Sequence, residues 1–138
     1  MKDSVSAEYR NNMSFDVTVS GHKITIDTAE EFGGNDNGPR PKSLMLVALA
    51  GCTGMDIISM LRKMRVVFDN LKIVVDGNIT EEHPKHFDHM HIKYFIDGKN
   101  IPRDKVNSAI ELSLEKYCGV NYSYKKAMKI THELILME

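Results

Sequence analysis

The residues of this sequence with the widest chemical range are its two cysteines, Cys52 and Cys118. Each lies next to a glycine, which lets a neighbouring backbone or a small substrate approach closely. A free cysteine in an apolar segment is most often a small buried hydrophobic side chain, whereas a thiolate with a second thiol nearby carries redox chemistry. On residue type alone the inert interpretation is the commoner one for Cys52, and both remain open.

Asp56 is the charged residue that bears most directly on Cys52. It follows Cys52 by four positions, so the two side chains share one face if the segment is helical. An ionised carboxylate on that face disfavours the thiolate form of the cysteine. We therefore expect a sluggish Cys52 thiol unless a cation from elsewhere in the chain offsets Asp56.

Closely spaced histidines suggest a metal site in the second half of the chain. They are His83, His86, His89 and His91. His89 and His91 would share one face of a strand and make a workable ligand pair, but no cysteine or carboxylate motif completes the set. Short histidine tracts are only compositional evidence, so the preferred interpretation is the solvated face of a strand, with no metal and no cofactor.

The element that must position Cys52 is the segment 38–65, the longest apolar stretch of the chain. Two prolines near its start suit the first turn of a helix, and from Ser43 onward it is free of proline and rich in Leu, Met and Ala. Residues 44–49 are apolar at every position, which predicts a central helix buried on all sides. Its apolar core ends at Asp56, short of the ~20 residues that a bilayer requires, so we expect no membrane span.

Strands are predicted on both sides of this helix. Period-two alternation between Asn, Gly and Asp turn residues is typical of strands and hairpins. It covers residues 4–10, 13–20, 22–27, 70–80, 86–97 and 129–137. A second helix is predicted over 103–117 and a short third one over 120–128, while the polar segment 28–37 is expected to be a mobile loop. The order βββ-α-ββ-α-α-β indicates an α+β fold.

Composition sets the class of protein. A chain of 138 residues fits a single domain over 1–138. A net charge of −1 gives no reason to expect nucleic acid or an anionic membrane as a partner. Two cysteines and no N-terminal signal pattern are typical of a cytoplasmic protein and not of a disulfide scaffold.

Four short motifs give the sequence a family resemblance. They are GPRPKSL at 38–44, ALAGC at 48–52, SLEKYC at 113–118 and ITH at 130–132, and the segment 21–27 adds to them. Together they resemble the central-helix and second-cysteine regions of the OsmC/Ohr family, the osmotically inducible and organic hydroperoxide resistance proteins. The likeness covers nearly the whole chain and is greatest to the YhfA-like subgroup.

The resemblance implies an OsmC-like fold in which two chains intertwine as a homodimer around their long central helices. Active members of the family reduce small organic hydroperoxides through a cysteine pair that a dithiol reductant restores. By motif, Cys52 would be the peroxidatic cysteine and Cys118 the resolving one, which traps the sulfenic acid before further oxidation. An arginine of the N-terminal strands completes the family's site, a role for Arg10, or for Arg40 as a nearby substitute.

One departure from the family pattern keeps two functions open. Active members carry a glutamate ten residues before the peroxidatic cysteine, where this chain has Lys42, and a lysine cannot hold an arginine in an ion pair. The retained cysteines favour a thiol-dependent peroxidase. Lys42 and Asp56 favour the alternative, a non-peroxidase homodimer that binds a small apolar or thiol-bearing ligand at its interface.

Two structural expectations follow. Cys52 and Cys118 should meet in space, because a disulfide requires Cα atoms within roughly 7 Å of each other. The chain should also be an obligate dimer, because a helix apolar on all sides needs more cover than the remaining elements of one chain supply.

Overall fold

Six strands and three α-helices make up the part of the chain, residues 1–137, that a computed structural model describes. The strands are β1 (Ser6–Asn11), β2 (Ser14–Val19), β3 (His22–Ile26), β4 (Asn70–Ile79), β5 (Phe87–Asp97) and β6 (Lys129–Met137). The helices are α1 (Ser43–Lys63), α2 (Arg103–Leu112) and α3 (Gly119–Tyr124). The predicted order βββ-α-ββ-α-α-β and the α+β class are confirmed.

The strands form two separate three-stranded sheets. In the first, β2 pairs antiparallel with both β1 and β3. In the second, β5 pairs antiparallel with β4 and parallel with β6, a connection that the intervening α2 and α3 make possible. The chain divides into two compact units, Met1–Met45 and Leu46–Glu138, with one sheet in each. The single domain over 1–138 stays a prediction.

In the first unit, Asp27 organises the segment that we expected to be a mobile loop. Its carboxylate accepts hydrogen bonds from the backbone N–H groups of Thr28, Asn35 and Asn37, at 2.7 to 3.2 Å. A 3₁₀ turn over Glu30–Phe32 lies inside the ring that these bonds close. The segment 28–37 therefore contains a folded turn held by Asp27, and its predicted mobility stays a prediction.

Burial of α1 in a single chain is confined to one face. The fully buried residues are four apart and form one stripe: Leu49, Thr53, Ile57 and Leu61. Val47 and Met55, on other faces, are 62% and 77% exposed. The prediction of a helix buried on all sides is therefore not met within one chain. By length and composition alone α1 could cross a membrane, and 22% of its most apolar stretch is buried.

The core of the second unit places α2 and its extension beside the sheet. The alternation predicted for residues 86–97 is confirmed in β5, where Met90, Ile92, Tyr94 and Ile96 are inaccessible to solvent. The α-helical pattern ends at Leu112 and not at Tyr117 as predicted. Ser113–Tyr117 forms a π-helical turn that the N–H of Cys118 closes on the carbonyl of Ser113, at 2.7 Å. Such turns are rare and recur at functional sites.

Candidate thiol site

The thiols of Cys52 and Cys118 meet in the second unit. Cys52 lies in the middle of α1, and Cys118 lies between the π turn and α3. The Cys52 side chain is close enough to Cys118 to raise the pKa of the Cys118 thiol, and both cysteines are free thiols. The predicted approach of the two cysteines in space is therefore confirmed. Their chemical roles stay predictions.

Cys118 is held in a nearly closed environment. Its side chain is 3% exposed, and its Sγ accepts a hydrogen bond from the backbone N–H of Asn121 at 3.4 Å, which caps α3. Burial raises the pKa of the Cys118 thiol to about 11; the Asn121 N–H opposes this, and Cys52 and Asp56 add to it. Cys118 is consequently a neutral thiol at physiological pH, and it needs help to act as a nucleophile.

A chain of buried hydroxyl groups ends on Asp56. Ser113 Oγ donates to Asp56 Oδ2 at 2.9 Å, and Thr53 Oγ1 lies 2.8 Å from both Ser113 Oγ and the hydroxyl of Tyr94. A hydroxyl has one proton to donate. Because Ser113 uses its proton on Asp56, Thr53 must donate to Ser113, and Tyr94 must donate to Thr53. The chain therefore has one direction, from Tyr94 to the carboxylate.

Tyr94 cannot act as the acid or base of this chain at ordinary pH. Its side chain is fully buried, and this burial raises the pKa of its hydroxyl well above the usual value, against the opposing hydrogen bond with Thr53. Charges on Cys118 and Asp56 raise that pKa further. The Tyr94 proton is therefore fixed in its bond to Thr53, and the chain holds Asp56 in place.

Sequence reasoning identified Asp56 but missed the three hydroxyl side chains that are hydrogen-bonded in series to it. The sequence pointed to Asp56 because it lies four residues after Cys52, on the same face of a helix. Thr53, Tyr94 and Ser113 all lie on buried faces that are otherwise apolar. A polar side chain at a position that the periodicity assigns to the core was the available signal, because a buried hydroxyl requires a hydrogen-bond partner.

Two cavities adjoin α1. The smaller, about 340 Å³, is lined by Asp56 together with Met60, Met64, Leu112 and Tyr117, among others. The larger, about 820 Å³, runs along the side of α1 that a single chain leaves uncovered. Its apolar wall includes Ala50, Gly54, Ile58, Leu71 and Ile73, and Arg62 and Lys63 lie at its basic end. The smaller cavity adjoins Asp56, at the end of the hydroxyl chain, whereas the larger cavity is lined mostly by apolar side chains.

The predicted cationic residues all lie in the first unit, whereas both thiols lie in the second. Arg10 is half-exposed on β1 and pairs with Asp16 at 3.7 Å. Arg40 pairs with Asp36 at 2.6 Å and also donates to the carbonyl of Gly38. Lys42 is exposed just before α1. Each arginine has a carboxylate partner within its own unit, so a role for Arg10 or Arg40 at the thiols stays a prediction.

The histidines of β5 bond to β6. His89 Nε2 and His91 Nδ1 each lie 2.7 Å from the hydroxyl of Thr131, and His91 Nε2 lies 3.7 Å from a carboxylate oxygen of Glu133. Within residues 1–137 no three His, Cys, Asp or Glu side chains are grouped to hold a metal ion. A shared hydroxyl and a carboxylate thus account for the polar contacts of this pair.

Comparison with known proteins finds one matching family model and several similar proteins. The family model described as OsmC-like protein matches residues 33–133. Protein YhfA of Escherichia coli K12 is 32% identical over 115 residues, 83% of each chain. The crystal structure of a hypothetical protein from Aquifex aeolicus VF5 matches with a TM-score of 0.84 and 31% identity over 100% of this chain and 99% of that one. The organic hydroperoxide resistance protein OhrB of Bacillus subtilis, at 18% identity, shares the fold with a TM-score of 0.60 over 99% and 98% of the two chains.

Proposed function

This chain belongs to the OsmC-like protein family, and on that premise we propose that it is a thiol-dependent peroxidase that reduces organic hydroperoxides. The observation that carries the proposal is the proximity of the free thiols of Cys52 and Cys118, which lie far apart in the sequence. A pair of adjacent thiols can pass through a sulfenic acid to a disulfide and be reduced again. OhrB, a structural neighbour, is named for organic hydroperoxide resistance, which supports this substrate class.

In the proposed cycle Cys52 reacts first. Its thiolate attacks the O–O bond of the hydroperoxide, the bond breaks, and the alkoxide leaves as an alcohol after taking up a proton. Cys118 then attacks the sulfur of the Cys52 sulfenic acid, so that a disulfide forms and water leaves. A dithiol reductant supplies the two electrons and two protons that restore both thiols. The smaller cavity, which Asp56 lines about one helical turn after Cys52, has apolar side chains that suit the alkyl group of an organic hydroperoxide.

We propose that the working molecule is a cytoplasmic homodimer in which the uncovered side of α1 is buried against a second copy. Exposed Val47 and Met55 and the larger apolar cavity support this assembly, because a soluble monomer rarely leaves such a surface in water. The family match and the shared fold both include α1, which favours a role in a soluble fold over a membrane span. Neither nucleic acid nor membrane is a partner in this proposal.

Titration with cumene hydroperoxide tests the function. One equivalent should consume two thiols per chain of the reduced protein, and mass spectrometry should find Cys52 linked to Cys118. A Cys118→Ser variant should stop at a Cys52 sulfenic acid that dimedone traps. Survival of both thiols in excess hydroperoxide would contradict a peroxidase.

The second candidate is a non-peroxidase member of the family that binds a small apolar or thiol-bearing ligand. The raised pKa of Cys118 and the exposed Lys42, in place of the family's glutamate, favour it. A binding function needs no redox-active thiols. Exchanging both cysteines for serine would therefore leave it intact and would abolish hydroperoxide reduction, which separates the two functions.

A further inference from the structure

We propose that the cavity of about 340 Å³ beside Asp56 binds an organic cation, namely a primary ammonium group that carries an apolar tail. As a statement about the substrate this rests on the proposed function, which places the alkyl group of a hydroperoxide in the same cavity. As a statement about binding it is independent of the thiols, because the described residues that line the cavity include neither cysteine. Three features support it: an unpaired carboxylate, the bonds that hold it, and the walls around it.

The Asp56 carboxylate lines the cavity without a cationic partner. The ion pairs formed within residues 1–137 all lie elsewhere in the chain, and none of them includes Asp56. The residue is half-buried, so the protein removes part of the water that would otherwise solvate its charge. A partly desolvated charge is stabilised by a partner that supplies both the opposite charge and hydrogen-bond donors, and an ammonium group supplies both.

Hydrogen bonds hold this carboxylate in place and leave one of its oxygens available. Ser113 Oγ donates to Oδ2 at 2.9 Å, and Thr53 supports Ser113 from behind at 2.8 Å. In the part of the chain that the structure describes, Oδ1 receives no hydrogen bond, and it is not a buried atom left without a partner. It is therefore accessible to a donor. A carboxylate that is oriented before the ligand arrives lowers the entropic cost of binding.

The walls of the cavity suit the tail of such a ligand. They include the thioether side chains of Met60 and Met64, the side chain of Leu112 and the ring of Tyr117. Thioethers adapt their shape to apolar ligands, and an aromatic ring attracts a cation to its face. The volume lies at the lower end of the range of small-molecule sites, which favours a short alkyl chain.

Two lysines near the cavity determine what the far end of the ligand can be. Lys63 lines the cavity seven residues after Asp56, about 10 Å further along the helix axis. The Lys116 ammonium lies 5.3 Å from the centre of the Tyr117 ring. Both lysines are exposed, so water and salt screen their charges from a cation at Asp56. A second positive group at the far end would meet Lys63, so the tail is expected to be neutral.

An organic cation fits this cavity better than a metal ion does. Within residues 1–137 no three His, Cys, Asp or Glu side chains are grouped to hold a metal, and Mg²⁺ and Ca²⁺ require several oxygen ligands. The Ser113 hydroxyl already donates its proton to Asp56. One carboxylate with apolar walls is sufficient for an alkylammonium, whose tail gains from leaving water.

Calorimetry of the reduced, full-length protein with three six-carbon probes tests the site. Hexylamine, which is protonated at pH 7, should bind at least about tenfold more tightly than 1-hexanol, since hydrogen bonds to charged groups contribute about that factor or more. Hexanoate should bind more weakly than hexylamine, because Asp56 and not the lysines governs the cavity. Equal affinities for hexylamine and 1-hexanol, or tighter binding of hexanoate, would overturn the proposal.

Methionine methyl signals locate the bound probe in the parent protein. In a ¹³C-methyl-labelled sample, hexylamine should move the signals of Met60 and Met64 and leave that of Met90, which is buried in β5, unchanged. Binding heat with no movement of the Met60 and Met64 signals would place hexylamine elsewhere and refute the site. This measurement and the comparison of probes need no variant, so they decide even if substitution of Asp56 prevents folding.

Asp56→Asn keeps an acceptor for Ser113 and removes the charge. Its affinity for hexylamine should fall at least about tenfold, whereas its affinity for 1-hexanol should stay the same. Asp76→Asn, a matched change at a carboxylate that pairs with Lys93, should leave both affinities unchanged. Unaltered binding of hexylamine to folded Asp56→Asn would contradict the proposal.

The binding test and the peroxidase test fail separately. If cumene hydroperoxide consumes no thiols while hexylamine binds as described, the peroxidase proposal fails and the cation site stands. If the thiols are consumed and hexylamine does not bind, the peroxidase proposal stands and the cation site is refuted.

Discussion

The environment of the Cys118 thiol differs strongly from that of a thiol in water. Its pKa is raised to about 11 from 9.0, first by burial, so the folded state favours the neutral form. At pH 8 only about one Cys118 in a thousand is then a thiolate. We predict that alkylation of Cys118 by iodoacetamide, followed by peptide mapping, rises about tenfold per pH unit up to about pH 11. In the protein unfolded by guanidinium, the increase in alkylation rate with pH should end near the ordinary thiol pKa of 9.0.

The same shift predicts an alkaline loss of stability. Below pH 9 both the folded and the unfolded chain carry a protonated Cys118, so this group contributes its full stabilisation. Between pH 9 and about 11 the unfolded state releases the proton and the folded state keeps it, so the free energy of unfolding falls as the pH rises. Cys118→Ala should flatten this part of the curve in urea unfolding at fixed protein concentration. An equally steep fall in the variant would assign it to other groups.

The hydroxyl chain allows a graded prediction of stability. Tyr94→Phe removes one donor and leaves Thr53 still bonded to Ser113, which should cost about 1 kcal/mol. Thr53→Val breaks both bonds and leaves a buried Tyr94 hydroxyl unpaired, so its cost should be larger, about 2–4 kcal/mol. Urea unfolding measures both. Tyr122→Phe, an exposed control, should be close to neutral; equal costs for Tyr94→Phe and Thr53→Val would argue against the chain.

At the scale of elements, the loop after β3 depends on one carboxylate. Backbone N–H groups, above all that of Asn37, lower the pKa of Asp27 against the effect of burial. Its contribution is therefore present above the ordinary carboxyl value of 3.8 and is lost as the pH falls through the lower folded value. We predict that Asp27→Ala opens the segment 28–37 to limited proteolysis at neutral pH, whereas Asp16→Ala on β2 does not. Equal cleavage in both variants would show that the turn folds without Asp27.

The glycines of this loop show why its fold was not evident in the sequence. A Cβ at Gly34 would lie 2.1 Å from the carbonyl oxygen of Thr28, and one at Gly38 would lie 2.0 Å from that of Thr25. These glycines permit close backbone contacts, yet a polar segment with glycines has the composition of a mobile connection. The fixed turn depends on contacts between residues far apart in the segment, which local propensity does not report.

Strand and helix periodicity could be predicted, whereas the π turn could not. The alternation of β5 and β6 reflects which side of the sheet is buried, so it is visible in the residues themselves. The end of α2 is different, because residues up to Tyr117 keep a helical pattern while the hydrogen bonds change at Leu112. Ser113, the first residue of the π turn, forms hydrogen bonds with Thr53 and Asp56 across the core. Only the tertiary structure brings these side chains together.

At the scale of the molecule, α1 has more apolar surface than one chain covers. The buried stripe of α1 faces its own unit, while Val47 and Met55 remain in water. Burying apolar surface stabilises by roughly 25 cal/mol for each Å² removed from water, so a second copy on this side would gain substantially. Because the uncovered side is on the helix that carries Cys52, assembly and the thiol site are linked through one element.

The dimer proposal is tested by placing a charge on the uncovered side of α1. Met55→Lys puts an ammonium group where the proposed partner would exclude water, and burying an unpaired charge is costly. The parent should scatter light as a dimer at micromolar concentration, and Met55→Lys should shift it towards monomer with a lower melting temperature. Lys2→Met, a change outside the regular elements, serves as the control and should leave the assembly unchanged. A parent that is a folded monomer at micromolar concentration would refute the obligate dimer, and Cys52 would then act from a helix whose other sides face water.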